Sequence, residues 1–474
     1  MKNNSNSHEN SVQNTDNQVV IGNDKIKNEL KKVIKLDTIT EVENDEDFFK
    51  MVDQEKEGES EEQKKRRRNF LKNKGTEYIR VGDDYYKFVQ KSNKKGEYYS
   101  DKIKLSKTTI TDQYTRSILP HIAKYDGFTL VPSHTNYQQI RGTFYNQYYQ
   151  LTHNPSEGNF DNILKLLNHL FGKSHINFAL DYLQILYTNP TQNLPIIVLE
   201  SFEKNTGKST FGNLLNRIFQ ENVIKLGNGD LSSDFNGFWL QRLLIVVDET
   251  SLDKDAVTQM LKRLSTENGK VVSNSKNSKQ EEMEFIGKFI FCSNQEGKAL
   301  KIEKDDTRWA VFKVPTLKAN GLQDDPFMES KIIKEIPAFL AYLKNRELRY
   351  NTCESRMWFD KEVYFTPQLR LYFDNSLSPI AQAVKELVKD TFLMFPEQKE
   401  LKFSVNDLMI ELSGNVKYLD KTKLKSTIKD ELKMKLNDRG RYEYFSLKIE
   451  EMGTDFGVPK IQRNLTYYTF LKES

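Results

Sequence analysis

Apolar and polar positions alternate with a period of two between residues 75 and 110, in TEYIRV, DYYKFVQ and EYYSDKIKL. Gly82-Asp83-Asp84 and Lys94-Lys95-Gly96 supply turns between these runs, so a small β-meander is expected. Residues 118 to 158 are irregular and aromatic-rich. The period then lengthens to that of a helix. Phe160, Ile163, Leu164, Leu167 and Leu170 share one face up to Gly172, and Phe178, Tyr182, Ile185 and Leu186 share another up to Asn189-Pro190. Between 195 and 315 come four apolar runs of strand length: PIIVLE, LLIVVDE, KFIFCSN and WAVFKV. Helical stretches separate them, which predicts an α/β fold built on a parallel sheet. Residues 316 to 400 read as helical, with runs from Glu329 to Leu348 and from Pro379 to Phe395. From 401 onward the pattern is short strand, helix, turn, helix and hairpin, as in a winged helix. No internal repeat is present.

These patterns divide the chain into six segments: a polar tail (1–68), a small β-rich domain (69–158), a helical linker (159–190), an α/β core (191–320), a helical connector (321–400) and a winged-helix-like domain (401–474). Such a division suits 474 residues. The tail is expected to be disordered. From Glu41 to Glu62 it carries eleven acidic residues against Lys50 and Lys56, and Lys64-Lys65-Arg66-Arg67-Arg68 then reverses the sign. That run could touch nucleic acid or form a solvated boundary. The net charge is only +4, so bulk charge does not announce a polyanion partner. From Lys417 to Arg441 nine basic residues face four acidic ones, which suits either contact with DNA or a solvated amphipathic helix. Two cysteines, Cys292 and Cys353, exclude a disulfide framework and a four-cysteine zinc site. No apolar run approaches the ~20 residues of a membrane span, so a soluble, cytoplasmic protein is expected.

The candidate chemistry lies at the ends of the core strands. The first runs into Glu203-Lys204-Asn205-Thr206-Gly207-Lys208-Ser209-Thr210, followed by an amphipathic helix. Strand, polar loop and helix make a phosphate-binding layout. Backbone N–H groups favour the polyphosphate, Lys208 reaches its β- and γ-phosphates, and the Ser209 hydroxyl holds Mg²⁺. Phe202 occupies the place of the motif's first glycine. Asn205 stands where another glycine is common, and asparagine tolerates φ > 0. The second strand ends in Asp248-Glu249, a pair able to bind Mg²⁺ and to polarise an attacking water. The third ends in Ser293-Asn294, whose amide can reach that water or a phosphate. Arg308 precedes the fourth strand. It could reach the nucleotide of a neighbouring subunit, or pair with Asp305 or Asp306. Between the second and third strands lies a polar tip carrying Lys270, Lys276 and Lys279, which could track phosphates or be a solvent loop.

The ordered set NTGKST, VVDE, a lysine-bearing hairpin, FIFCSN and DDTRWAVF resembles the superfamily 3 helicases, specifically the phage and plasmid primase-helicase ATPases related to the poxvirus primase-helicase. The resemblance is strong over residues 195 to 315. It implies an AAA+-like core forming a ring, usually a hexamer, that hydrolyses ATP with Mg²⁺ to move on single-stranded or forked DNA, typically 3′ to 5′. It places Lys208 and Ser209 in the phosphate loop and Asp248 and Glu249 in the acidic strand-end motif. Asn294 falls at the sensor asparagine, Arg308 at the trans-acting finger, and the hairpin lysines in the DNA channel. Such ATPases are often fused to a nicking nuclease or a primase. The six histidines never fall as the H-x-H pair a nicking domain would want, and a primase would need more folded sequence than lies before residue 160, so priming is expected from a separate protein. Two further readings remain open. One is an origin-melting ATPase that barely translocates. The other is a nucleotide-binding scaffold with weakened catalysis.

Overall fold

The structure is a computed structural model. It describes residues 60–92, 94, 96, 98–227, 229–248, 255–266, 269–274, 281–297, 302–303, 306–351, 357–413, 419–447, 450–452, 455–457 and 460–472. The expected tail before residue 60, together with Glu249, Lys276 and Lys279, lies outside the described residues. The chain divides into two compact units, Met1–Gly127 and Phe128–Ser474.

In the first unit, helix α1 (Glu61–Gly75) starts at a capping box. Ser60 accepts from the Gln63 N–H while the Gln63 side chain reaches back to the Ser60 N–H. The basic run at 64–68 therefore lies inside a capped helix and not in a tail. Strands β1 (Tyr78–Val81), β2 (Asp84–Ser92) and β3 (Tyr98–Leu105) form the expected meander. Strand β4 (Ala123–Tyr125) adds parallel to β1. Tyr78, Tyr85 and Leu105 share one sheet face and pack with Leu71 of α1 and Ile110 of α2 (Lys107–Tyr114).

The second unit begins earlier than the composition implies. Residues 128–158, assigned above to the β-rich domain, belong here, because Tyr148 is buried in the same core as helix α3 (Asp161–Thr188). Hydrogen bonds fix this irregular stretch: His134 bridges Tyr148 Oη and the Tyr187 carbonyl, and the Asn222 side chain holds both backbone groups of Tyr149. Helix α3 breaks at Gly172, whose φ of 73° separates its two halves.

A five-stranded parallel sheet forms the centre of this unit. Its strands are β5 (Ile196–Glu200), β6 (Val223–Leu226), β7 (Leu244–Asp248), β10 (Lys288–Ser293) and β11 (Trp309–Lys313), in the spatial order β11-β5-β10-β7-β6. Both faces are covered, which explains the unbroken apolar runs. Ile197 and Leu199 of β5, Leu244 and Val246 of β7 and Ile290 of β10 face one core. That core includes α3, α4 (Lys208–Phe219) and α6 (Met328–Asn345). Ile196, Val198, Ile245, Val247, Phe289 and Phe291 face the other, with α5 (Asp255–Leu264) and α7 (Pro367–Asn375). An antiparallel pair, β8 (Lys270–Ser273) and β9 (Glu281–Glu284), projects between β7 and β10 in sequence.

Beyond α7, helix α8 (Pro379–Met394) packs with β12 (Glu400–Phe403), α9 (Val405–Leu412), α10 (Lys421–Asp430), β13 (Asn437–Phe445) and β14 (Lys460–Leu471) around a separate core. The strands make one antiparallel sheet in the order β12-β14-β13. Two buried carboxylates bind helix α9 to it. Asp407 accepts from Tyr442 and Arg463, and Glu411 from Tyr444 and Ser446.

Candidate nucleotide site

The phosphate loop spans Ser201 to Gly207, between the C-terminal end of β5 and the first turn of α4. It turns through two left-handed residues, Asn205 (φ 56°) and Gly207 (φ 85°). Asn205 thus adopts the conformation glycine would supply. Phe202, the other departure from the motif, points outward and is 72 % exposed. A Cβ at Gly207 would lie 3.3 Å from Leu166 Cδ1 of α3. The loop leans on that helix at a second point. His169 Nε2 lies 3.1 Å from the Thr206 carbonyl, while its Nδ1 lies 3.0 Å from the Asn320 amide nitrogen. The amide donates to Nδ1, so Nε2 carries the hydrogen and donates to the carbonyl. Burial holds the His169 imidazole below its ordinary range, favouring that neutral form.

Lys208 is the first residue of α4, and its side chain curls back under the loop. Its ammonium donates to Ser201 Oγ at 2.8 Å, Thr206 Oγ1 at 3.1 Å and the Glu203 carbonyl at 3.3 Å. Burial lowers its pKa, with the carboxylates of Asp248 and Glu200 acting against the shift. An anion beside this ammonium would add to their effect. Ser209 Oγ donates to Asp248 Oδ2 at 3.4 Å, so the hydroxyl and the exposed end of β7 meet directly. A hydroxyl and a carboxylate oxygen at this spacing are hard donors that suit Mg²⁺. Cys292 of β10 lies 3.8 Å from the Lys208 carbonyl, and burial pushes its thiol up to about 12, so it is a neutral packing group. Asn294 follows the last residue of β10, and β10 lies between β5 and β7. Lys208, Ser209, Asp248 and Asn294 therefore gather at the C-terminal edge of one parallel sheet, where open α/β sheets hold ligands.

The remaining candidates lie elsewhere. Arg308 immediately precedes β11, at the opposite edge of the sheet. It pairs with Asp306 at 3.0 Å, one of the two outcomes its sequence position allowed, and its buried Nε has no hydrogen-bond partner among the described residues. It lines an open cleft of about 370 Å³ together with Gln259, Lys262, Arg263, Thr266 and Glu303. Asp306 also binds Lys262 and the Trp309 indole, which holds this cationic corner in shape. Lys270 opens β8 and lies 3.8 Å from Glu282 on the paired strand, both side chains exposed. Asn274, where the described part of the hairpin ends, is bonded to Asp234 and Asn236. Glu203 and Lys204 are exposed in the loop, and Thr206 is buried.

Two contributors escape a reading of the sequence. Ser201 and His169 organise the loop without belonging to any motif. Ser201 sits next to the phosphate loop, so its polarity after a buried strand was a visible signal. His169 carried none.

Comparison with known proteins adds the fold. The C-terminal region of NrS-1 in its apo form superposes at a TM-score of 0.52, with 18 % identity, over 76 % of this chain and 85 % of that one. A second apo form of the same region reaches 0.54 at 15 % identity, over 85 % of this chain and 98 % of that one. The chain shares this fold. A family of unknown function, DUF5906, matches residues 199–308, the stretch from β5 to Arg308. No curated protein matches the chain. Among the described residues no helix is long and apolar enough to cross a membrane.

Proposed function

We propose that the chain is an ATP-dependent DNA helicase with an AAA+-like core, acting as an oligomeric ring on single-stranded DNA. The observation that carries this reading is the meeting of Lys208, Ser209, Asp248 and Asn294 at one sheet edge, beneath a loop with two left-handed residues. In this reading Ser209 and Asp248 hold Mg²⁺, which shields the phosphate charge. Lys208 exchanges its bonds to the loop for bonds to phosphate oxygens. Glu249 takes a proton from the attacking water, and Asn294 orients that water or the γ-phosphate. Arg308 lies across the sheet from its own loop, so it serves the site of a neighbouring subunit. The β8–β9 hairpin, with Lys270, Lys276 and Lys279, touches the DNA backbone. The C-terminal α9–α10 and β12–β14 assembly is winged-helix-like.

ATPase assays with and without single-stranded DNA test the reading. Lys208→Ala should lower kcat by about 100-fold or more, because it removes the cation nearest the phosphates. Wild-type protein without turnover in Mg²⁺, ATP and DNA would overturn it in favour of a nucleotide-binding scaffold. Failure to unwind a forked duplex despite turnover would favour an origin-melting ATPase.

A further inference from the structure

Strand β5 is apolar until its last residue, Glu200, which is fully buried. No described cation pairs with it. Four contacts from neutral donors satisfy its carboxylate instead. Oε1 accepts from the Gly297 N–H at 3.2 Å and from the Gln368 amide, and Oε2 accepts from Tyr372 Oη at 2.5 Å and from Gly297 N at 3.3 Å. Burial raises its pKa, and these donors oppose the shift. The donors come from two places that matter to the site. Gly297 closes the turn that begins at Asn294, with φ at 70°. Gln368 and Tyr372 lie on α7, the helix that leads through Ser378 into α8 and the C-terminal assembly. Asn375 of α7 also donates to the Gly297 carbonyl at 2.9 Å, so both backbone groups of Gly297 are held. One residue after Glu200, Ser201 accepts from the Lys208 ammonium. A buried carboxylate is costly wherever it serves only packing. Here it joins the phosphate loop, the asparagine turn and helix α7, which packs on the sheet.

We propose that Glu200 is a positioning residue that couples the nucleotide site to helix α7, holding the turn 294–297 so that Asn294 and the C-terminal assembly respond together to nucleotide. The proposal rests on the nucleotide-site reading above and adds a route out of it. Nucleotide drawn toward Lys208 loosens the ammonium from Ser201, the neighbour of Glu200. A shift there acts at once on Gly297 and Tyr372.

Full-length wild type, Tyr372→Phe and Glu200→Gln decide it, with two readouts: steady-state ATPase, and backbone amide exchange with and without Mg²⁺ and a slowly hydrolysed ATP analogue. In wild type, nucleotide should slow exchange in both 294–297 and 367–375. In Tyr372→Phe the response of 367–375 should be lost, with kcat lowered by about tenfold and the KM for ATP within about twofold of wild type. Glu200→Gln should behave alike, and the double variant should be no worse than the more damaged single one. Where either variant loses its cooperative unfolding transition, Gln368→Ala carries the same test. Turnover in wild type without any response in 367–375, or wild-type kcat and response in Tyr372→Phe, would overturn the coupling. A protein that binds the analogue with the expected response but does not hydrolyse ATP would overturn the helicase reading and leave the coupling standing.

Discussion

His134 shows how one side chain fixes a segment that has only short strands of regular structure. Its Nδ1 donates to the Tyr187 carbonyl at 2.9 Å and its Nε2 accepts from Tyr148 Oη at 2.5 Å. Burial pushes its pKa down to about 4. The unfolded chain keeps an ordinary imidazole near 6.5 and so binds more protons between those values. The stabilisation from this neutral histidine is therefore complete above pH 6.5 and drains away as pH falls toward 4. Its share of the loss between pH 7 and pH 5 should be about 2 kcal/mol. Urea unfolding at the two pH values should show that loss in wild type and a correspondingly shallower dependence in His134→Gln. Equal slopes would mean that His134 titrates in the folded protein as it does in a peptide. At this scale the sequence was readable where chemistry repeats a local pattern. Asp248 and Asn294 stand at the ends of apolar runs, and Lys208 opens the helix that follows one. Glu200 was less readable, because its partners Gln368 and Tyr372 lie 168 and 172 residues away and no local pattern links them.

Among elements, the pairing of α3 with α6 depends on a buried polar knot. Arg346, just beyond α6, pairs with Asp181 of α3 at 2.5 Å and with Gln184 at 2.6 Å, while the Tyr350 N–H donates to Asp181 at 2.8 Å. Asp181 is fully buried. Removing one partner leaves a charge without its counter-ion. Arg346→Met should therefore cost about 3–5 kcal/mol in denaturant unfolding. Asp181→Leu/Arg346→Met together should recover much of that loss, because the isolated charge is gone. If the double variant is as unstable as the single one, packing and not charge governs this joint. The elements themselves were mostly legible. Period-two and period-3.6 patterns locate the meander, the core strands and the long helices, and the break at Gly172 falls where the first helical face ends. The limit of the first unit was not legible. Residues 128–158 join the second unit through hydrogen bonds to Tyr187 and Asn222 and through Tyr148, which is buried in its core, contacts that leave no periodicity behind. The capping box of α1, Ser60 with Gln63, is present in the sequence beside the charge reversal that dominates its composition.

For the whole molecule, the order β11-β5-β10-β7-β6 could not be deduced from one sequence, because parallel neighbours are distant along the chain. The common direction of the strands sets Arg308 apart. Parallel strands place the residue before β11 at one edge of the sheet and the loop after β5 at the other. On the proposed reading, Arg308→Ala should leave any oligomer intact yet lose turnover by about 1,000-fold, the scale on which a transferred arginine acts in phosphoryl transfer. Mixing Lys208→Ala with Arg308→Ala, each inactive alone, should restore part of the ATPase. Some interfaces of the mixed assembly would then join an intact loop to an intact arginine. Silence in every mixture would show that the two residues do not act across subunits.

On the proposed reading, the placement of Arg308 bears on how hydrolysis would be controlled. If Arg308 serves a neighbour's site, a solitary chain would carry two halves of unlike sites and no complete one. Specific activity would then climb with protein concentration and collapse on dilution, so local abundance alone could switch hydrolysis on.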